Sequence, residues 1–346
     1  MCTDGRGAAH VERLPNECIS TAATGVPISP LPIPLAKRIS ALLVEMRPRQ
    51  WSKNALLFAG ALFAGRLLDP AIFVHALLAF IIFCLASSAI YLVNDLVDLP
   101  HDRLHPRKQL RPLAAGALEP RIVLLATLLL VMLTAGLTAG MIVLPAAHYP
   151  DAYRFAGGGQ WLFTLMLAVY TLTMLAYTFW LKHIVLVDVF TIASGFVMRA
   201  MAGAFAVGAP ISPWFYLCTV LLALFLALSK RRAELLMLDS RAWEHRQILR
   251  DYSPQLLDQM ISIVTSATIM AYSLYTFLGS TGSHRLMVTI PFVIYGIFRY
   301  LYLVYIKQEG GSPEEILLRD HHILSAVMLC TLAVFAILYV LPAIHM

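Results

Sequence analysis

Ala71-Ile-Phe-Val-His75-Ala-Leu-Leu-Ala-Phe-Ile-Ile-Phe-Cys84-Leu-Ala-Ser-Ser88-Ala-Ile-Tyr91-Leu-Val-Asn94-Asp95-Leu-Val-Asp98-Leu-Pro100-His-Asp102 changes character abruptly at Asn94. Up to Val93 it is almost wholly apolar. About 20 such residues at 1.5 Å each cross a hydrocarbon core of about 30 Å, so the segment predicts a membrane-spanning helix. Three aspartates follow. If the helix continues past Val93, Asp95, Asp98 and Asp102 stand at i, i+3 and i+7 on one face, with Pro100 as a cap or a bend. Carboxylates gathered this way repel one another unless a divalent cation joins them. Magnesium prefers such oxygen ligands, completed by substrate phosphate oxygens. The plain alternative is a solvated acidic helix end, but ionisable groups against hydrocarbon usually mark a substrate path.

The rest of the 346 residues supports a membrane setting. Hydrophobic residues make up 59% and charged residues 13%, against about 45–50% and about 25% in soluble domains. Nine stretches suit spanning helices: about 53–68, 71–93, 121–143, 161–181, 185–208, 214–229, 258–279, 286–306 and 323–344. The expected fold is therefore an all-α membrane protein of nine transmembrane helices. Residues 1–34 read as a disordered tail without a signal-peptide core, Leu35 to Met46 as a short surface helix, and 35–346 as one transmembrane domain.

Arg66, Arg154 and Arg285 face one side, Arg199 and Arg299 fall inside spans, and the other 21 of 26 Lys and Arg flank the opposite side. The positive-inside rule then puts the N-terminus, the acidic motif and loops 94–120 and 230–257 in the cytoplasm. The net charge of +6 is spread between apolar runs rather than gathered in one patch, which argues against a nucleic-acid partner. Cys2, Cys18, Cys84, Cys218 and Cys330 are scattered and odd in number, as neither a disulfide framework nor a zinc site would be.

Cations adjoin the acids. His105-Pro-Arg107-Lys108-Gln-Leu-Arg111 follows directly; Arg107 reads as a topology determinant, while Lys108 and Arg111 suit phosphate. Arg47-Pro-Arg-Gln-Trp51-Ser-Lys53-Asn54 opens the first span, and Asn54 beside Lys53 favours a polar pocket there. Tyr177 and Lys182 close the fourth span. Asp188 opens the fifth and is the better candidate for a second acidic site for metal or diphosphate. Arg199, eleven residues or about 16 Å further along, is too distant to pair with Asp188 and is expected to serve a structural ion pair elsewhere. Lys230-Arg231-Arg232-Ala-Glu234 arrives at the depth of the carboxylates, with Lys230 and Glu234 spaced as an i, i+4 pair.

Together these segments resemble the UbiA superfamily of intramembrane prenyltransferases. The resemblance rests on nine spans, Asn-Asp-x-x-Asp-x-x-x-Asp after the second, and Tyr177, Lys182 and Asp188 around the fourth connection. The segments Arg47–Asn54, His105–Pro112, Ser194–Arg199, Lys230–Glu234 and Gly296–Tyr300 are similar to its polyprenyl-phosphate phosphoribosyltransferase branch. Many superfamily members carry two close aspartates in a second motif; here Asp188 stands alone.

The resemblance implies a UbiA-type bundle in a bacterial plasma membrane, with its active site on the cytoplasmic side. It also implies transfer of phosphoribosyl from phosphoribosyl pyrophosphate to a polyprenyl phosphate with Mg2+. Asp95, Asp98 and Asp102 are then the metal ligands. Lys53, Lys108, Arg111, Lys182, Lys230 and Arg231 screen the phosphates. Asn54 and Asn94 position the sugar, with Tyr177, Asp188 and Glu234 also at the substrate. Rival readings are an aromatic-acid polyprenyltransferase and, in another class, a secondary transporter, although no repeated halves are visible. A homo-oligomer is compatible with the chain.

Overall fold

Asp69-Pro70 starts the helix that dominates the molecule. The Asp69 carboxylate accepts from the Ala71 amide at 3.0 Å, and Pro70 occupies the first turn, where its missing N–H costs nothing. This helix, labelled α3 (Pro70–Asp102), runs through Pro100 without a break. Its 33 residues extend for about 50 Å, roughly 20 Å more than the hydrocarbon core needs. The surplus turns carry Asp95, Asp98 and Asp102 beyond the apolar layer.

The computed structural model describes residues 34–104, 108–144, 153, 158–237, 251–278, 284–308, 316 and 319–341. The expected tail falls outside these, as do His105 to Arg107 and much of loop 230–257. Before α3 come α1 (Leu35–Glu45), a 3-10 run (Pro48–Phe58) and α2 (Ala59–Phe63). After it come α4 (Pro120–Val143), α5 (Gly159–Phe179), α6 (Val187–Ala206), α7 (Pro213–Met237), α8 (Pro254–Leu278), α9 (Ile290–Tyr305) and α10 (His321–Phe335). No strand occurs among the described residues. Proline opens α3, α4, α7 and α8, and Asp320 caps α10 by accepting from Ile323 at 2.8 Å.

Among the described residues eight helices, α3 to α10 with a 3-10 turn leading into α9 and a π turn extending α10, are long and apolar enough to cross a membrane. The chain is a multi-pass membrane protein. Leucines 124, 125, 128 and 129 on α4 and Val327, Met328 and Leu332 on α10 are exposed, as lipid-facing residues should be.

The first expected span takes a different form. Eleven 3-10 residues at about 2.0 Å each, followed by the five of α2, extend for about 30 Å. A run this long is unusual, and α6 explains it. A Cβ on Gly203 would lie 2.1 Å from the Leu57 carbonyl oxygen, and one on Gly60 2.8 Å from the Ala204 Cα. Backbone rests on backbone here, so the segment follows the surface of α6.

Three packed clusters surround this frame. One joins α3, α5 and α6 with the 3-10 run around Leu57, Phe83 and Phe163. The second joins α6 to α7, α8, α9 and α10 around Phe225, Leu257 and Tyr300. The third holds α1 and α4 against the far part of α3. Helix α6 belongs to two of them and forms the central post.

Candidate active site

The acidic end of α3 meets four cations. Arg47, in a left-handed conformation (φ 54°) just after α1, grips both oxygens of Asp95, at 2.7 Å on Oδ2. Its guanidinium also lies 4.8 Å over the Tyr91 ring. Arg111 donates to Asp95 at 2.9 Å and to Asp102 at 2.6 Å, so it joins the two buried carboxylates. Lys108 stands 3.2 Å from Asp102. Lys182, in the α5–α6 connection, donates to Asp98 at 2.7 Å, and Asn94 donates to the other Asp98 oxygen at 3.2 Å.

Asp95, Asp98, Asp102, Asn94, Lys108, Arg111 and Lys182 thus converge as expected. The three carboxylates do not share a point: no group of three metal-binding side chains forms among the described residues. Their chemistry fits magnesium, since all three offer hard oxygen donors.

Lys53 and Asn54 lie on the 3-10 run. Lys53 is half-buried and bonds to Gln50. Asn54 is 1% exposed; its amide nitrogen donates to Cys84 Sγ at 3.3 Å and Ser87 at 3.4 Å, and its oxygen accepts from Arg199 at 2.7 Å. Tyr177 is half-buried near the end of α5.

A second charged group joins the start of α6 to α7. Asp188 and Arg231 are almost fully buried and paired at 2.6 Å. Arg231 also bonds Glu234, so the expected Lys230–Glu234 pairing is replaced by one at i, i+3. Lys230 is half-buried and forms no ion pair among the described residues. Tyr252 donates to Asp188 at 2.8 Å and accepts from the Leu186 amide at 2.8 Å. Leu186 itself is strained at φ 65°. Burial first, and then the Asp188 carboxylate, push the Tyr252 phenol up to about 12. Asp188 and Arg231 offset each other's charge, as each needs a partner when removed from solvent.

The expected ion pair of Arg199 is not found among the described residues. Its guanidinium donates to Asn54, to the Gly195 carbonyl at 2.8 Å and to the Tyr170 hydroxyl at 2.6 Å, all neutral groups. Arg299, by contrast, pairs with Asp320 at 2.8 Å and holds its carboxyl below the usual range.

Sequence reading missed Arg47 as a ligand of the acids. A cation directly before a span, at the depth of the carboxylates, was the available signal. It also missed Glu45, which is 2% exposed near Asp95 with Oε1 unpartnered. Tyr252 gave no local signal, since its partners are 64 residues away.

Comparison with known proteins matches residues 55–318 to the UbiA prenyltransferase family. A Corynebacterium glutamicum protein named decaprenyl-phosphate phosphoribosyltransferase is 32% identical over 308 residues, covering 87% of both chains. The Mycolicibacterium smegmatis protein of the same name is 34% identical, covering 82% of this chain and 87% of its own. Among solved structures, a UbiA homolog from Archaeoglobus fulgidus bound to DMAPP and Mg2+ has a TM-score of 0.63 at 18% identity, over 86% of this chain and 99% of the other. The fold, the family match and the length of the shared sequence agree: this chain belongs to the UbiA prenyltransferase family.

Proposed function

We propose that the protein transfers a 5-phosphoribosyl group from phosphoribosyl pyrophosphate to a polyprenyl phosphate of decaprenyl type, releasing pyrophosphate, for cell-envelope glycan precursors. The observation that carries this reading is identity of 32–34% over most of the chain with proteins bearing the phosphoribosyltransferase name. The proposed setting is a bacterial plasma membrane with a cytoplasmic N-terminus, and residues 35–346 act as one unit.

The residues suit the chemistry. The bond from the anomeric carbon to the diphosphate oxygen breaks as a lipid phosphate oxygen bonds to that carbon. The lipid phosphate is already ionised at neutral pH, so no general base is needed. The work is to align two anions and screen their repulsion. Asp95, Asp98 and Asp102 would hold magnesium, which neutralises charge on the departing pyrophosphate. Arg47, Lys108, Arg111 and Lys182 sit on those carboxylates and are within a side-chain swing of phosphates arriving there. Lys53 and Lys230 add charge from the neighbouring elements, while Asn54, Asn94 and Tyr177 orient the sugar. Arg231 and Asp188 act as a buried brace, with Glu234 bonded to Arg231.

The test is transfer of radiolabel from phosphoribosyl pyrophosphate into an organic-extractable lipid by purified protein supplied with polyprenyl phosphate. Magnesium-dependent labelled lipid is expected. Folded protein that makes none, yet consumes polyprenyl diphosphate with an aromatic acid, would move the assignment to an aromatic prenyltransferase.

A further inference from the structure

We propose that Arg199, with Asn54, forms a buried subsite for a phosphomonoester, which makes Arg199 a specificity residue for one of the two substrates. The inference rests on the phosphoribosyl transfer proposed above. Arg199 is 5% exposed in the interior of the bundle and has no carboxylate partner among the described residues. Arginine does not deprotonate in proteins, so burial leaves a full positive charge that neutral acceptors only partly offset. Asp95 and Asp102, by contrast, have Arg111, and Asp188 has Arg231.

Its surroundings are polar and arranged. Five N–H groups are available, and three are used: on Asn54, the Gly195 carbonyl and the Tyr170 hydroxyl. The Tyr170 ring also lies 4.7 Å from the guanidinium carbon. Asn54 brings Ser87 and Cys84 into the same layer. The flexible end of Met174 packs close to the Gly195 backbone beside Arg199, and such a side chain is able to move aside. Along α3, Ser87 is eight residues, or about 12 Å, inward of Asp95. A sugar with its diphosphate at the acidic end would direct its other end towards this layer. The same chemistry would also suit the phosphate of the lipid.

The experiment measures binding of phosphoribosyl pyrophosphate, pyrophosphate and polyprenyl phosphate to detergent-solubilised full-length protein, alongside thermal melts. The variants are Asn54→Asp and Arg199→Lys. Asn54→Asp is isosteric and supplies an internal counterion. It should keep or raise the melting temperature while weakening one phosphomonoester about tenfold or more, since an added carboxylate repels it. Arg199→Lys, which keeps the charge and loses the fork, should weaken the same ligand to a lesser degree. Pyrophosphate affinity should stay put in both. Loss confined to phosphoribosyl pyrophosphate assigns the subsite to the ribose 5-phosphate; loss confined to polyprenyl phosphate assigns it to the lipid. Unchanged affinity for both in a folded Asn54→Asp variant overturns the inference. Wild-type protein that binds neither would instead remove the functional reading beneath it.

Discussion

Single residues decide the electrostatics of the acidic end. Asp98 is the most accessible of its three carboxylates and shares its oxygens between Lys182 and Asn94. Asp98→Asn should reduce transfer of phosphoribosyl to lipid by at least about 100-fold, as loss of a group stabilising developing charge does, with little change in melting temperature. Glu45 makes a different prediction. Burial first and the Asp95 charge second push its carboxyl from 4.5 to about 7, against the pull of Arg47 and Arg111. The folded protein therefore holds a proton that the unfolded chain has released between those values. Stability contributed by this group is complete below about 4.5 and is lost as pH rises through about 7. Melts between pH 5 and 8 should show that decline, and Glu45→Gln should flatten it. The aspartates and their near neighbours Lys108 and Arg111 were legible because the signal is local: spacing along one helix and its following turn. Arg47 on Asp95, Arg231 on Asp188 and Arg199 on Asn54 join residues 43 to 145 positions apart, and no periodicity encodes such pairings.

At the scale of elements, the 3-10 run is the part whose form hydropathy did not report. Apolar content reports that residues 53–68 prefer lipid or protein to water; it is silent on whether they coil at 1.5 or 2.0 Å per residue. The answer lies in Gly203 and Gly60, whose missing side chains let two backbones touch. Gly203→Ala should force the run off α6 and destabilise the protein by about 1–3 kcal/mol, the usual range for overpacking. Activity should fall too, because Lys53 and Asn54 ride on that run. Gly136→Ala, where an added Cβ meets nothing within 4 Å, is the matched control and should leave both unchanged. The long helices were legible for the converse reason: about 20 apolar residues between proline starts and charged ends have few other solutions. Even Pro100, which suggested a bend, leaves α3 continuous, since a proline near a helix end removes only one late hydrogen bond.

For the whole molecule, the outstanding expectation is its orientation. The bundle has Leu110 at the acidic end, 79% exposed, and Val143 at the far end of α4, 84% exposed. With the five native cysteines replaced, Leu110→Cys should react with a membrane-impermeant maleimide only in inverted vesicles. Val143→Cys should react only in intact cells; the reverse pattern would place the acidic end outside.

The ion pairs at the end of α3 also bear on encounter kinetics. Arg47, Lys108, Arg111 and Lys182 outnumber Asp95, Asp98 and Asp102 by one at the end of the helix. An excess of cations draws a polyanion in from solution, and it loses reach as salt shortens the screening length to about 8 Å under physiological conditions. Capture of a soluble phosphorylated donor should therefore slow with ionic strength, while its residence, set by close contacts, changes much less. A cell that accumulates salt would leave the bound state largely intact and lengthen the wait for it.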